Sequence, residues 1–179
     1  MKEDFGTQLE DGSLRFVRDL PGPIERVWDY FADPEKRATW FCGGTMAKKP
    51  GDRFTMTFDH AKLSDEPFPE RFAELKGGVS FDVELVEFEP PHRLVFRDFG
   101  VAGEEGRVSV TLEPDGERVT LTLIQSPHHE FAQLISAAAG WQAHIGLMID
   151  ELEGTPRRRF WAEHEVAEDH YRDALKPAG

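Results

Sequence analysis

In several short segments between residues 53 and 125 apolar and polar side chains alternate. Phe54, Met56 and Phe58 are separated by Thr55 and Thr57, and Phe81, Val83 and Leu85 by Asp82 and Glu84. The same step runs through Leu94 and Phe96, through Val108, Val110 and Leu112, and through Val119, Leu121 and Leu123. A period of two predicts an antiparallel sheet with one buried and one wet face. Glu89-Pro90-Pro91-His92 and Pro114-Asp115-Gly116-Glu117 read as hairpin turns between these strands. Ahead of them, Leu14, Phe16, Val17 and Leu20 fit a short first strand with one irregular step. After Pro21-Gly22-Pro23, the spacing of Ile24, Val27, Trp28 and Phe31 predicts a short helix ending near Ala32. Asp33-Pro34 is a helix-start signal for a second one over Glu35 to Thr39. Residues 61–79, with Pro67, Pro69 and Gly77-Gly78, form the longest irregular stretch, and its length suggests a lid.

After Ser126-Pro127 the period changes to that of a helix. Phe131, Leu134, Ile135, Ala138, Trp141, Ile145, Met148, Ile149 and Leu152 mark about six turns, about 30 Å long, stopped by Gly154. Thr155-Pro156 resembles an N-cap and first-turn proline for a last helix whose thin apolar stripe is Phe160, Ala167, Tyr171 and Ala174. Arg157, Arg158 and Arg159 would crowd its positive end unless Asp150, Glu151 and Glu153 lie close. The expected arrangement is α+β: a curved antiparallel sheet of about six or seven strands, two short helices after the first strand, a long helix across the apolar face, and an extra C-terminal helix. Residues 1–12 read as a loosely held segment, 13–154 as the domain, and 155–179 as its helical extension.

Composition narrows the functions. The 179 residues, 39% hydrophobic and 31% charged, suit one folded domain rather than a disordered chain. With 21 basic and 34 acidic residues the net charge is −13, which repels phosphate backbones and argues against nucleic-acid binding. No apolar run approaches the roughly 18 residues of a membrane span, and Met1-Lys2-Glu3-Asp4 does not open a secretory signal. A cytoplasmic protein is expected. The single cysteine, Cys42, excludes an internal disulfide.

Chemistry-bearing residues are few. If the long helix and sheet enclose a cavity, its wall would come from Trp40, Phe54, Met56, Phe58, Phe81, Val83, Phe96, Val110, Leu121, Trp141, Gln142 and Ile145. Polar tips would be His60 and Asp98, which continue the inward phase of their strands, with Gln142 and His144 from the helix. A histidine–carboxylate pair among His60, Asp98 and His144 would be the acid–base couple of an enzyme if brought within hydrogen-bond reach. His128-His129-Glu130 lacks a third ligand at helical spacing, and His164 and His170 are six apart on a charged helix, so no metal site is expected. Cys42 has no adjacent base or cation to activate it. Gly43-Gly44 and the glycines at 100, 103 and 106 lack phosphate-loop spacing. No cofactor is implied.

Three segments resemble one family. Residues 15–41 carry Arg18, Pro23-x-Glu25-x-Val27-Trp28, Asp33-Pro34-Glu35 and Trp40-Phe41; residues 85–96 read Leu-Val-Glu-Phe-Glu-Pro-Pro-His-Arg-Leu-Val-Phe; and Gly140-Trp141-Gln142-x-His144-Ile145 is followed by Leu152-x-Gly154. Together they look like the activator of heat-shock-protein-90 ATPase homologue family, of the START-like (SRPBCC) superfamily, over about residues 13–154. The resemblance implies a helix-grip fold and a stand-alone member. The co-chaperone activity in the family's name belongs to a member with an extra N-terminal domain, for which this chain has no room. The superfamily includes carriers, cyclases and hydrolases, so fold does not fix function. The expectation carried forward is a binder of a small, largely hydrophobic ligand. Its rivals are a cyclase- or hydrolase-like enzyme in the same cavity, or an interaction module that docks a chaperone or a second copy through Phe160, Trp161 and Tyr171.

Overall fold

The computed structural model describes residues 5–177. Strands β1 (Thr7–Gln8) and β2 (Leu14–Pro21) lead to helices α1 (Ile24–Ala32) and α2 (Pro34–Arg37). Then come β3 (Gly43–Gly44), β4 (Arg53–Phe58), β5 (Val79–Glu89), β6 (Arg93–Arg97), β7 (Val108–Asp115) and β8 (Arg118–Gln125). Helix α3 (Phe131–Glu153) and helix α4 (Phe160–Ala174) close the chain. The strands form one antiparallel sheet of eight in the order β1-β2-β8-β7-β6-β5-β4-β3. Its count exceeds the expected six or seven because β1 and β3 are two-residue strands, too short to show a period.

In β2 the inward residues are Leu14, Phe16, Arg18 and Leu20, whereas Val17 points to solvent. Alternation is therefore regular, with Val17 an apolar residue on the wet face. The inward arginine needs a buried partner, and it finds one: Arg18 donates to the Gln142 side-chain oxygen at 2.9 Å. At the end of α1, the Asp33 carboxylate accepts from the Glu35 amide at 2.9 Å and starts α2. From α2, buried Arg37 donates to the carbonyls of Cys42, Gly43 and Thr45 and shapes the turn into β3.

Helix α3 lies across the sheet, and Gly154 ends it in the left-handed conformation, at φ 68°. Its burial is not confined to one stripe. Residues Trp141 through Met148 are all buried, Gln142 and His144 included. The sheet covers one side of the helix and α4 the other. The last helix begins at Phe160 rather than at Thr155-Pro156, because the Thr155 amide bonds back to the Asp150 carbonyl and the three arginines that follow run along acids. Arg157 pairs with Glu151 at 2.7 Å, Arg158 with Asp150 at 2.8 Å, and Arg159 with Glu66 at 3.4 Å. A Cβ on Gly146 would lie 2.8 Å from Arg158 Cδ and Nη1, so that glycine lets the arginine cross α3.

Residues 60–76 are strapped to α4. The Glu66 carboxylate accepts from the amides of Trp161 and Ala162 at 2.8 and 3.0 Å, capping a helix whose own N-cap, Arg159, offers no acceptor. Both guanidinium ends of Arg71 grip Glu168 at 3.1 and 2.7 Å. Phe68 and Phe72 pack on Trp161 with ring centroids 5.1 and 5.2 Å apart. The aromatics that could have docked a partner are consequently inside the domain: Phe160, Trp161 and Tyr171 are all buried.

The residues read as a loose N-terminal segment are tied down from Phe5 onward. Phe5 stacks on His170 at 3.6 Å, and the Gly6 amide donates to the Tyr171 hydroxyl at 2.7 Å. Residues 1–4 of that segment, and 178–179 of the helical extension, lie outside the described residues. Among the described residues no helix is long and apolar enough to cross a membrane.

Because Asp150 holds the Arg158 amide and guanidinium in a mostly buried pair, Asp150→Ala leaves a buried cation without its partner. Urea unfolding should show a loss of about 3–5 kcal/mol. An unchanged midpoint would mean that the pair does not fasten α4 to α3.

Candidate functional site

Among the described residues, spaces of two different kinds lie between the long helix and the sheet. The inner one measures about 10 Å³, room for a single water-sized sphere. Its lining includes Trp40, Phe54, Met56, Phe96, Val110 and Trp141, which were expected to wall a ligand cavity. Here they meet one another instead, Phe54 against Phe96 at 6.1 Å and Phe41 against Trp40 at 5.1 Å. Val83, Leu121 and Ile145 are fully buried and border neither space.

The outer space is a half-open mouth of about 200 Å³, lined by Phe41, Phe58, Phe99, Gly100, Gln125, His128, Ala137, Gly140, Trp141 and His144. From α3 come Ala137, Gly140, Trp141 and His144, which the helical repeat puts on one face. The facing wall is aromatic. Phe41 stacks on Trp141 at 4.8 Å, and Phe99 lies 5.7 Å from Trp141 and 6.1 Å from Phe58.

Phe99 is set by its neighbour. Asp98 sits at φ 68°, with its carboxylate accepting from the Gly103 amide at 2.6 Å and from Arg53 at 2.8 Å. That amide and the guanidinium hold its carboxyl below the usual range. Asp98 thus clasps the β6–β7 loop, and its carboxylate is taken up by Gly103 and Arg53 rather than by His60 or His144. Phe81 stacks on Phe58 at 5.7 Å and borders a separate surface hollow beside Arg53 and Asp98. The loop that borders the mouth is this one, through Phe99 and Gly100, whereas residues 61–79 contribute nothing to its lining.

The polar edge of the mouth has fixed hydrogen-bond directions. The Trp141 indole N–H can only donate, and its partner is Gln125 Oε1. The Gln125 amide nitrogen then donates to His128 Nε2 at 2.7 Å, which leaves the proton of neutral His128 on Nδ1. His144 Nδ1 lies 2.7 Å from the Trp40 carbonyl. A carbonyl only accepts, so Nδ1 carries the proton and Nε2 a lone pair.

Two of the three acid–base candidates are brought together. The His60 and His144 rings are 5.4 Å apart, among Phe58 and Phe160. Burial, with His60 close by, pushes His144 down to about 3. Burial likewise lowers His60, whose Nδ1 is enclosed without a partner. Gln142 faces elsewhere: its oxygen accepts from Arg18 and from the Tyr171 hydroxyl at 2.8 Å, between β2 and α4. Cys42 is buried and its thiol is pushed up to about 12, so it is no nucleophile. Among the described residues no cluster of His, Cys, Asp and Glu has the makings of a metal site.

Phe41, Phe99, Gln125, His128, Ala137 and Gly140 were not among the residues expected from sequence. One local signal for them was Gly140, a glycine in the middle of a strongly helical pattern.

His164 is buried against Phe72, Phe160 and Trp161 and is held down to about 4, mainly by burial. Its usual value, like that of His144, is 6.5. Below that value the unfolded chain takes up protons that the native chain refuses. Stability is therefore full above about pH 6.5 and falls as pH drops toward 4, by up to about 1.4 kcal/mol per pH unit for each such histidine. Urea titrations between about pH 6 and 5 should show this slope, and His164→Phe should make it shallower. An identical slope in the variant would contradict the burial argument.

The comparisons bear on the family and the fold. A family model described as "Activator of Hsp90 ATPase homolog 1-like protein" matches residues 21–153. A protein of Bordetella parapertussis solved in solution by NMR is 37% identical, with a TM-score of 0.82 over 97% of this chain and 92% of its own. CalU16 of Micromonospora echinospora has a TM-score of 0.64 at 15% identity, covering 95% of this chain and 94% of its own. The Aha1 dimer of Colwellia psychrerythraea has a TM-score of 0.58 at 14% identity, covering 79% and 96%. These last two share the fold. No curated protein sequence matches the chain.

Proposed function

Since the chain belongs to the family of Activator of Hsp90 ATPase homolog 1-like proteins, whose helix-grip fold suits a ligand-binding role, we propose that it binds a small, largely apolar molecule in the mouth between α3 and the β6–β7 loop. The observation that carries this reading is the contrast between two glycines of α3. Each costs the helix about 1 kcal/mol relative to alanine. Gly146 is bare because Arg158 crosses it. A Cβ on Gly140, by contrast, would meet nothing within 4 Å, and Gly140 lines the mouth. A helix side left empty beside four aromatic rings is a recess for something that the chain itself does not supply.

Affinity would come from burying the ligand's apolar body against Phe41, Phe58, Phe99 and Trp141. The volume is under the ~300–1,000 Å³ of typical ligand pockets, so the molecule is of the size of one or two fused rings. The β6–β7 loop, clasped by Asp98, would serve as the cover in place of residues 61–79, which are strapped to α4.

Gly140→Leu tests the reading. Leucine is the better helix former and projects into open space, so the variant should fold with an equal or higher Tm. Naphthalene-sized ligands should quench tryptophan fluorescence in the wild type, and the variant should lose that quenching. Undiminished binding in a folded Gly140→Leu protein would place the ligand elsewhere.

A further inference from the structure

Resting on that reading, we propose that the mouth selects an uncharged molecule bearing a hydrogen-bond donor, a phenol or alcohol hydroxyl, and seats that hydroxyl on Nε2 of His144. The Nδ1 proton of His144 is committed to the Trp40 carbonyl at 2.7 Å, which leaves Nε2 as a pure acceptor. The ring is buried to 5% exposure and lines the mouth, yet among the described residues no hydrogen bond engages Nε2. Burial and the neighbouring His60 keep the imidazole unprotonated at neutral pH.

The other polar groups of the mouth offer no free acceptor and no charge. Gln125 is held at both ends, by Trp141 and by His128, and His128 retains only its Nδ1–H, a neutral donor. None of the lining residues is lysine or arginine. A carboxylate placed here would lose its hydration without gaining a cation and would face the His144 lone pair. A plain hydrocarbon would cover Nε2 and leave it unpaired, which also costs affinity. A neutral hydroxyl avoids both penalties.

The test is calorimetric titration of the full chain at neutral pH with naphthol, naphthalene and naphthoate, which share one ring system. Naphthol should bind about tenfold more tightly than naphthalene, the worth of one buried hydrogen bond, and naphthoate should bind most weakly. His144→Phe should bring naphthol and naphthalene to equal affinity. Equal affinities in the wild type, or naphthoate binding tightest, would overturn the proposal and leave the binding reading standing. If none of the three binds the wild type, the binding reading fails and this proposal fails with it. A second readout does not depend on a variant that folds. The Nε2 resonance of ¹⁵N-labelled His144 should shift with naphthol and not with naphthalene, and an unmoved resonance in the naphthol complex would overturn the assignment.

Discussion

The two central turns of α3, buried around their whole circumference, are the constraint from which the rest of the structure follows. One apolar sheet face can cover only one side of α3, yet residues Trp141 through Met148 are all withdrawn from solvent. A second layer is therefore required, and α4 supplies it. That layer is a poor helix by itself, with an arginine at its N-cap and few apolar positions. Its start is completed from outside by Glu66 and its middle by Arg71 on Glu168. The strap over residues 60–76 is thus part of what allows α3 to be apolar on both sides, which is why a stretch rich in proline and glycine is not free to act as a lid.

Each polar side chain inside α3 is answered by a different part of the fold. Gln142 is held by Arg18 of β2 and Tyr171 of α4, Asp150 by Arg158 of the α3–α4 connection, and His144 by the Trp40 carbonyl. Buried polar groups with fixed partners contribute orientation more than net stability. They set the rotation of α3 about its axis, and so decide that Ala137, Gly140, Trp141 and His144 face the aromatic wall. The Gln125 bridge from Trp141 to His128 fixes the same edge from the sheet side.

Closed and open space divide along this face. Deep in the sheet the large rings interlock and leave about 10 Å³, as close packing requires. Toward the β6–β7 end, the small residues of α3 stand opposite a loop held in shape by Asp98, and about 200 Å³ remains. The carboxylate that the strand period suggested as an acid–base group is instead the clasp that positions Phe99.

Period alone was sufficient for most of the fold. The alternation at 54–58, 81–85, 108–112 and 119–123 marks strands because an antiparallel sheet with one wet face writes burial directly into sequence, whereas Leu94, Val95 and Phe96 of β6 are all buried. Gly154 marks the helix end for an equally local reason, its left-handed conformation. The resemblance in residues 15–41, 85–96 and 140–154 likewise led to the family that the comparisons show. Local pattern had no means of showing that α3 is covered on both sides, since what buries Gln142, His144 and Gly146 is Arg18, Trp40 and Arg158, which arrive from distant parts of the chain. Nor could it separate cavity from core. Phe54 and Phe41 are the same kind of residue, and whether such a ring closes a space or borders one depends on what packs opposite it. Gly140 beside Phe99 is an opening that only the tertiary structure could decide.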